Sequence, residues 1–303
     1  MLVDKLLSNL SVHVKPFAIL TLSEGWRIHL PGPPLLLFHF VLEGEGVVYG
    51  PRGDAHPVAP MHLSVVPIGA KHVLQTSGDI HDELRIDSPP AGELVCQIVA
   101  GSSEQADLVV SCGLVTVRYG KSLNLFDHLK DVLSVDLSGA PQALSAFEGI
   151  MAEQTRATAG SDAMTAALMT QCLVHLFRRL PSNAEDAMPW LIALQDERLG
   201  RVVDMIVDDP GADYTVESLA EAAAMSRSAF AERFAASFGH SPMNFVNHVR
   251  LQRAAHLLTI GKLSIDETAR TVGYSSRSHF SRAFKEHTGL SPKAFRATES
   301  LAA

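Results

Sequence analysis

Ser278, Ser281, Arg282 and Lys285 recur at steps of three, one and three. On an α-helix turning 100° per residue they share one side. That side offers hydroxyls and cations and no apolar group, a set that bonds phosphate oxygens and the edges of bases. An arginine there can grip guanine with two parallel hydrogen bonds. Arg277 stands where the helix would begin, and the free N–H groups of a helix start favour anions. Fifty positions earlier, Arg227, Ser228, Ala231 and Glu232 occupy the corresponding places. This second face is poorer in donors; Glu232 can accept from a cytosine amine or simply stand in solvent.

The elements that must position these faces are written twice. Setting Ser226–Phe245 against Ser276–Phe295 gives nine identities in twenty: both serines and the arginine of Ser-Arg-Ser, Phe230/Phe280, Phe234/Phe284, Gly239/Gly289, Ser241/Ser291, Pro242/Pro292 and Phe245/Phe295. Each copy opens with a short helix after a hydroxyl residue, Thr215 or Ser264. In the second copy Glu267 stands three residues on, the spacing of a capping box. A tight turn follows, holding Gly273 in the second copy and Ala224 in the first, where glycine suits the strained backbone better. The second helix starts at Ser226 or Ser276 and stops at Gly239 or Gly289, before Ser-Pro. Helical phase puts Phe230, Phe234 and Phe238 on one buried stripe and Phe280, Phe284 and His287 on its counterpart. Helix, short turn, helix at this size is the unit that lays its second helix in the major groove.

One such basic face could be only a solvated surface. Two, joined by the apolar-striped segment PMNFVNHVRLQRAAHLL with Phe245, Val249, Ala254, Leu257 and Leu258, can meet successive major grooves, which lie about 34 Å apart. The charge agrees. The chain carries a net charge of −8, yet from Ser226 to Ala297 there are 11 basic residues and 4 acidic ones.

Residues from about 200 to 297 resemble the AraC-type transcription regulators. The resemblance is carried by Leu219, Ala220, Ser226, Phe230, Phe234, Gly239, Pro242, Arg250, Ala254, Leu257, Leu258, Ile265, Ala269, Gly273, Tyr274, Phe280, Arg282, Phe284, Lys285, Gly289, Pro292 and Phe295. It implies a seven-helix domain of two helix-turn-helix units on a connecting helix, with promoter DNA and RNA polymerase as partners. It also implies base contacts at Ser228, Ala231 and Glu232, then Arg277, Ser278 and Arg282. Ala231 and Glu232 depart from the family's commoner polar and basic choices, so the first unit is expected to read less sequence.

From Trp26 to Gln75 short apolar runs alternate with Gly and Pro, which predicts a small antiparallel β-barrel. The phrase VLEGEG followed by PIGAKH is similar to the cupin pattern, with Pro67, Gly69 and His72 matching its second motif over roughly residues 25–115. Cupin metal ligands would fall near Leu30, Gly32 and Leu37, and none of these can bind a metal. His72 survives alone, with His39, Glu43, His29 and His81 off-pattern. The expectation is a cavity without metal or other cofactor, taking a small effector between Leu35, Leu37, Phe40 and Val66 with His39 and His72 as polar anchors. Trp26 and Val41 are further pocket candidates. Alternation sets His39, Val41 and Glu43 on one strand face and Phe40 and Leu42 on the other, and does not say which points inward.

APQALSAFEGIMAEQTRA and SDAMTAALMTQCLVHLFRRL read as two helices parted by Ala159-Gly160. The second groups Met164, Leu168, Cys172, Leu176 and Leu180 on an apolar side, with Leu173 and Phe177 flanking. Packing on its own barrel and a subunit seam fit this periodicity equally; the family resemblance favours a homodimer. The linker is placed at Pro181–Asp186. Three cysteines without CxxC spacing suit core thiols in a reducing cytoplasm. No stretch approaches the ~18 apolar residues of a membrane span.

The resulting expectation is an α+β multidomain protein. Residues 1–135 form a cupin-like effector-sensing domain, 136–185 a helical linker with a possible dimer seam, and 190–303 a double helix-turn-helix domain, its units at ~215–239 and ~264–289. Such a chain is a regulator, expected to activate, and not an enzyme; the alternative is a cupin metalloenzyme fused to a DNA-binding tail.

Overall fold

A computed structural model describes residues 10–33, 35–87, 96–120, 123–127, 129–180 and 196–300, the side chains of 105 and 298–300 apart. The placed linker, Pro181–Asp186, lies outside the described residues, as does the start of PWLIALQDERL. Two compact units emerge. One holds the described residues to Val117 and from Phe126 to Leu180; the other holds the described part of Arg118–Leu125 and the residues from Asp196 on.

The strands are β1 (Leu10–Val14), β2 (Ala18–Leu22), β3 (Trp26–Leu30), β4 (Leu36–Gly44), β5 (Gly46–Tyr49), β6 (Ala55–Val58), β7 (His62–Val66), β8 (His72–Thr76), β9 (Asp82–Arg85), β10 (Cys96–Ala100), β11 (Leu108–Tyr119), β12 (Leu123–Asn124) and β13 (Leu133–Asp136), all in the first unit except β12 and the end of β11 from Arg118 on, which belong to the second. One sheet runs β10-β2-β11-β4-β7-β13, with β1 and β12 also on β11; the other runs β6-β5-β8-β3-β9. The expected barrel is thus a sandwich of two sheets. Most of its ladders are antiparallel; at two edges β10 pairs with β2 and β9 with β3 in parallel.

Strand alternation does the sorting. Leu20, Leu22, Val41, Val66, Val110 and Cys112 of one sheet meet Ile28, Leu30, Val48, Val58 and Leu74 of the other in one apolar core. The opposite face of β4 turns away from the second sheet: Phe40 stacks on Phe147 of the helix after β13 at 3.9 Å, and Phe38 meets Phe126, in the turn after β12, edge-on at 6.4 Å. So the face carrying His39 and Val41 points between the sheets. The pairing with β11 slips between Val109 and Val110, a bulge that ends the alternation and leaves Glu43 exposed. Helices α1 (Pro141–Thr155) and α2 (Ser161–Arg178) close this side. In α2 the buried residues are Ser161, Thr165, Met169, Cys172, Leu173, Leu176 and Phe177, packed within the unit against α1 and β1. Met164, expected on that side, is exposed.

The second unit contains, among the described residues, seven helices: α3 (Glu197–Asp208), α4 (Val216–Ala222), α5 (Arg227–Phe238), α6 (Pro242–Ile260), α7 (Ile265–Thr271), α8 (Arg277–Thr288) and α9 (Pro292–Ser300). The repeat is geometric as well as textual. Phe230 and Phe234 lie 5.4 Å apart and Phe280 and Phe284 5.5 Å apart; each second ring meets the next helix's phenylalanine, Phe245 or Phe295, edge-on at 5.3 and 5.4 Å. Both first helices carry a capping box, Ser264 with Glu267 and also Thr215 with Ser218. Gly239 and Gly289 end α5 and α8 in the left-handed conformation. His287 departs from expectation: it is exposed, edge-on to His248 at 5.0 Å, because α8 reaches past the core at its last turn.

Candidate functional site

The α8 face stands free for contact. Arg277, Ser278, Arg282 and Lys285 are exposed and Ser281 is half-buried, while Phe280 and Phe284 behind them are fully buried. Ser276 caps the helix from His279 N–H, fixing its first turn. On α5, Arg227, Ser228 and Glu232 are exposed and Ala231 is half-buried, over Phe230, Phe234 and Phe238. Both leading arginines are held by a carboxylate on the preceding helix: Arg227 by Glu217 at 2.8 Å and Arg277 by Asp266 at 3.1 Å. These exposed pairs contribute little to stability but pre-set the guanidinium beside the helix start. Arg233 reaches Asp196, the N-cap of α3, at 2.7 Å and so faces away from the Glu232 side.

One residue lies where the two helix-turn-helix units meet. Arg250, on α6, donates from Nε to the Pro210 carbonyl and from Nη2 to the Ala212 carbonyl, both at 2.8 Å. It lies against Gly273, where a Cβ would sit 2.8 Å from the Gly211 carbonyl oxygen and 2.9 Å from the Arg250 guanidinium. Gly273 has φ +83°, and Ala224 at the matching turn has φ +52°, an unusual value for a residue with a Cβ.

In the first unit a cavity of about 50 Å³ opens beside β2, β4 and β11. Leu37, Leu114 and Ile98 line it, with His39, Cys96 and Cys112 as its heteroatom-bearing side chains. Of the expected anchors His39 is here. His72 instead lines a second, more open cleft of about 360 Å³ with His29, Tyr49, Lys71, Arg85 and Asp87. Leu35 and Trp26 line neither; Val41 and Val66 fill the core and Phe40 faces α1, so the pocket first drawn around them is displaced towards β2 and β10. Gly113 permits this wall: a Cβ there would run into the ring of Phe17.

A buried chain joins the two spaces. Cys112 Sγ is 2.7 Å from His39 Nδ1, His39 Nε2 is 2.8 Å from His72 Nε2, and His72 Nδ1 is 3.1 Å from the Ala70 carbonyl. The carbonyl can only accept, so the His72 proton sits on Nδ1 and its Nε2 accepts from His39. His39 Nδ1 then accepts from the thiol, and every donor points the same way. Burial, then the neighbouring His72, holds His39 well below the usual histidine range; burial lowers His72 from 6.5 to about 4 against the pull of Ala70; burial, then Cys96, pushes the Cys112 thiol up. The resting chain is uncharged. Folded-state values below the unfolded ones mean that this stability, present above about pH 6.5, is lost as pH falls towards 4. Leu30, Gly32 and Leu37 supply no metal donors, and among the described residues no three of His, Cys, Asp or Glu gather about one point. Sequence reasoning missed Cys112; its only signal is the β4–β11 register, which sets it opposite His39.

Comparison with known proteins agrees on both units. A family model described as a helix-turn-helix domain matches residues 219–298, and one described as cupin matches residues 2–181, more than half of the chain. The HTH-type transcriptional regulator MtrA of Neisseria gonorrhoeae is 28% identical over 86% of this chain and 85% of its own. AlkR of Acinetobacter baylyi, also an HTH-type transcriptional regulator, is 27% identical over 97% and 98%. The RCS-specific HTH-type transcriptional activator RclR of Escherichia coli is 32% identical over 91% and 89%.

Proposed function

Because this chain belongs to the AraC-type transcription regulators with an N-terminal cupin domain, we propose that it is a one-component regulator. In this reading a small, largely apolar molecule in the Cys112–His39 cavity favours one domain arrangement over another and thereby sets promoter affinity. A ligand with equal affinity for both arrangements would shift nothing. The supporting observation is the pair of Phe-anchored readers carried on one connecting helix, the second with Arg282 exposed. Ser278, Ser281, Arg282 and Lys285 would read bases and phosphates in one groove. Arg227, Ser228, Ala231 and Glu232 would mainly position the other, with Arg277 at a phosphate.

The remaining assignments follow from that reading: a sensing domain over 1–135, a helical segment over 136–185 with a homodimer seam, a DNA-binding domain over 190–303, RNA polymerase as partner, and a cytoplasmic setting. Activation rather than repression is supported by the name of the RclR relative. Among the described residues no helix is long and apolar enough to cross a membrane. Footprinting of the purified chain on genomic fragments selected by binding tests the proposal. Two protected patches about ten base pairs apart are expected; no protection at low salt on any fragment would refute it.

A further inference from the structure

Cys112 differs from an ordinary core thiol in three ways. It faces a cavity, its sulfur lies 2.7 Å from a ring nitrogen that must be a lone-pair acceptor, and that ring's other nitrogen is bonded to a second histidine bordering the open cleft. Cys172 is as thoroughly buried and has none of these: its sulfur meets only the Ala143 carbonyl, at 4.0 Å, and burial pushes it up to about 12. A nucleophile within hydrogen-bond reach of a base, the base oriented by a third group, is the arrangement that activates thiols. The lining decides what can reach it. Phe17, Leu20, Leu30, Leu37, Ile98 and Leu114 repel charge, and the cavity accepts only a handful of non-hydrogen atoms.

We infer that Cys112 is a covalent attachment site for small uncharged electrophiles of the activated-alkene class, such as enones, enals and quinones. His39 is the group that takes the thiol proton. The sulfur adds to the β-carbon and the C–S bond forms. The π electrons of the alkene shift to the α-carbon and spread onto the carbonyl oxygen as an enolate, and the proton lost to His39 Nδ1 is returned to the α-carbon. No oxidant is needed and His39 ends as it began. His72 holds His39 in the accepting tautomer by taking the hydrogen bond from its Nε2–H. The inference rests on the effector reading above only for its consequence at DNA.

The test uses the full chain, 2-cyclohexen-1-one as probe, and peptide mass spectrometry to follow each cysteine. Cys112 is expected to form the adduct at least about tenfold faster than Cys172. In the unaltered protein its rate should change less than about tenfold from pH 6 to 8, because neutral His39 is already the base over that range; a reaction limited by free thiolate climbs about tenfold per pH unit. His39→Gln should slow Cys112 about tenfold or more and leave Cys172 unchanged. Equal rates at the two cysteines, or a thiolate-like pH profile, would overturn the assignment even if the variant fails to fold. A complete adduct with unchanged DNA affinity would instead sink the effector reading and leave the attachment site standing.

Discussion

In the first helix-turn-helix the rings of Phe230, Phe234 and Phe238 lie beneath a face of Ser228, Ala231 and Glu232; in the second, Phe280 and Phe284 lie beneath Ser278, Ser281 and Arg282. The buried spacings agree to a tenth of an ångström, while the outward chemistry agrees only at the start of the helix, Ser228 with Ser278, and departs at Ala231 against Ser281 and Glu232 against Arg282. What the two copies kept is what closes turns, caps helices and fills space. What drifted is what meets a partner, because packing places no constraint there.

The largest effect should test the shared part. Phe234→Ala and Phe284→Ala should each destabilise by about 3–5 kcal/mol in urea unfolding; a loss below about 1 kcal/mol in either would break the equivalence of the cores. Gly273→Ala comes next, at roughly 2–4 kcal/mol, since it combines a left-handed backbone with contact against Gly211 and Arg250. Thermal unfolding with no shift would show that this turn relaxes freely. On the outward side, Arg282→Ala should weaken operator binding by ~1–3 kcal/mol and relax preference at one base pair, read by gel shift over single-base variants. If Ser228→Ala costs as much, the two faces read equally and the contrast fails. Ala224→Gly should raise stability by about 0.5–1 kcal/mol by relieving the left-handed alanine. Smallest, Glu232→Ala should tighten binding to random DNA by less than about 1 kcal/mol, more at low salt, by removing a negative charge that faces phosphates. Weaker binding to every sequence would assign Glu232 another role.

The duplicated half was legible because its signals are local. Ser264–Glu267, Gly289–Pro292 and the phenylalanine stripe each act within one helix or turn, and register across the repeat confirmed them against each other. His287 misled because phase alone cannot say where a helix outruns its core. The first unit was legible only as a class. Its cavity depends on which strands become neighbours: Cys112 lies seventy-three residues from His39 and meets it only through the β4–β11 ladder. Phe40 was drawn into the pocket because alternation gives two faces without saying which one the helices cover.

Arg250 holds the loop before the first helix-turn-helix by two carbonyl contacts, and that loop and the Arg250 guanidinium pack against Gly273 in the turn of the second, so the loop cannot swivel on the connecting helix without breaking those contacts. A stapled pair of this kind measures the rotational phase of its target. One base pair added between the halves of an operator must be absorbed by twisting the duplex, and five would carry the second half to the far side of the helix, out of reach of a protein that cannot unfold its elbow.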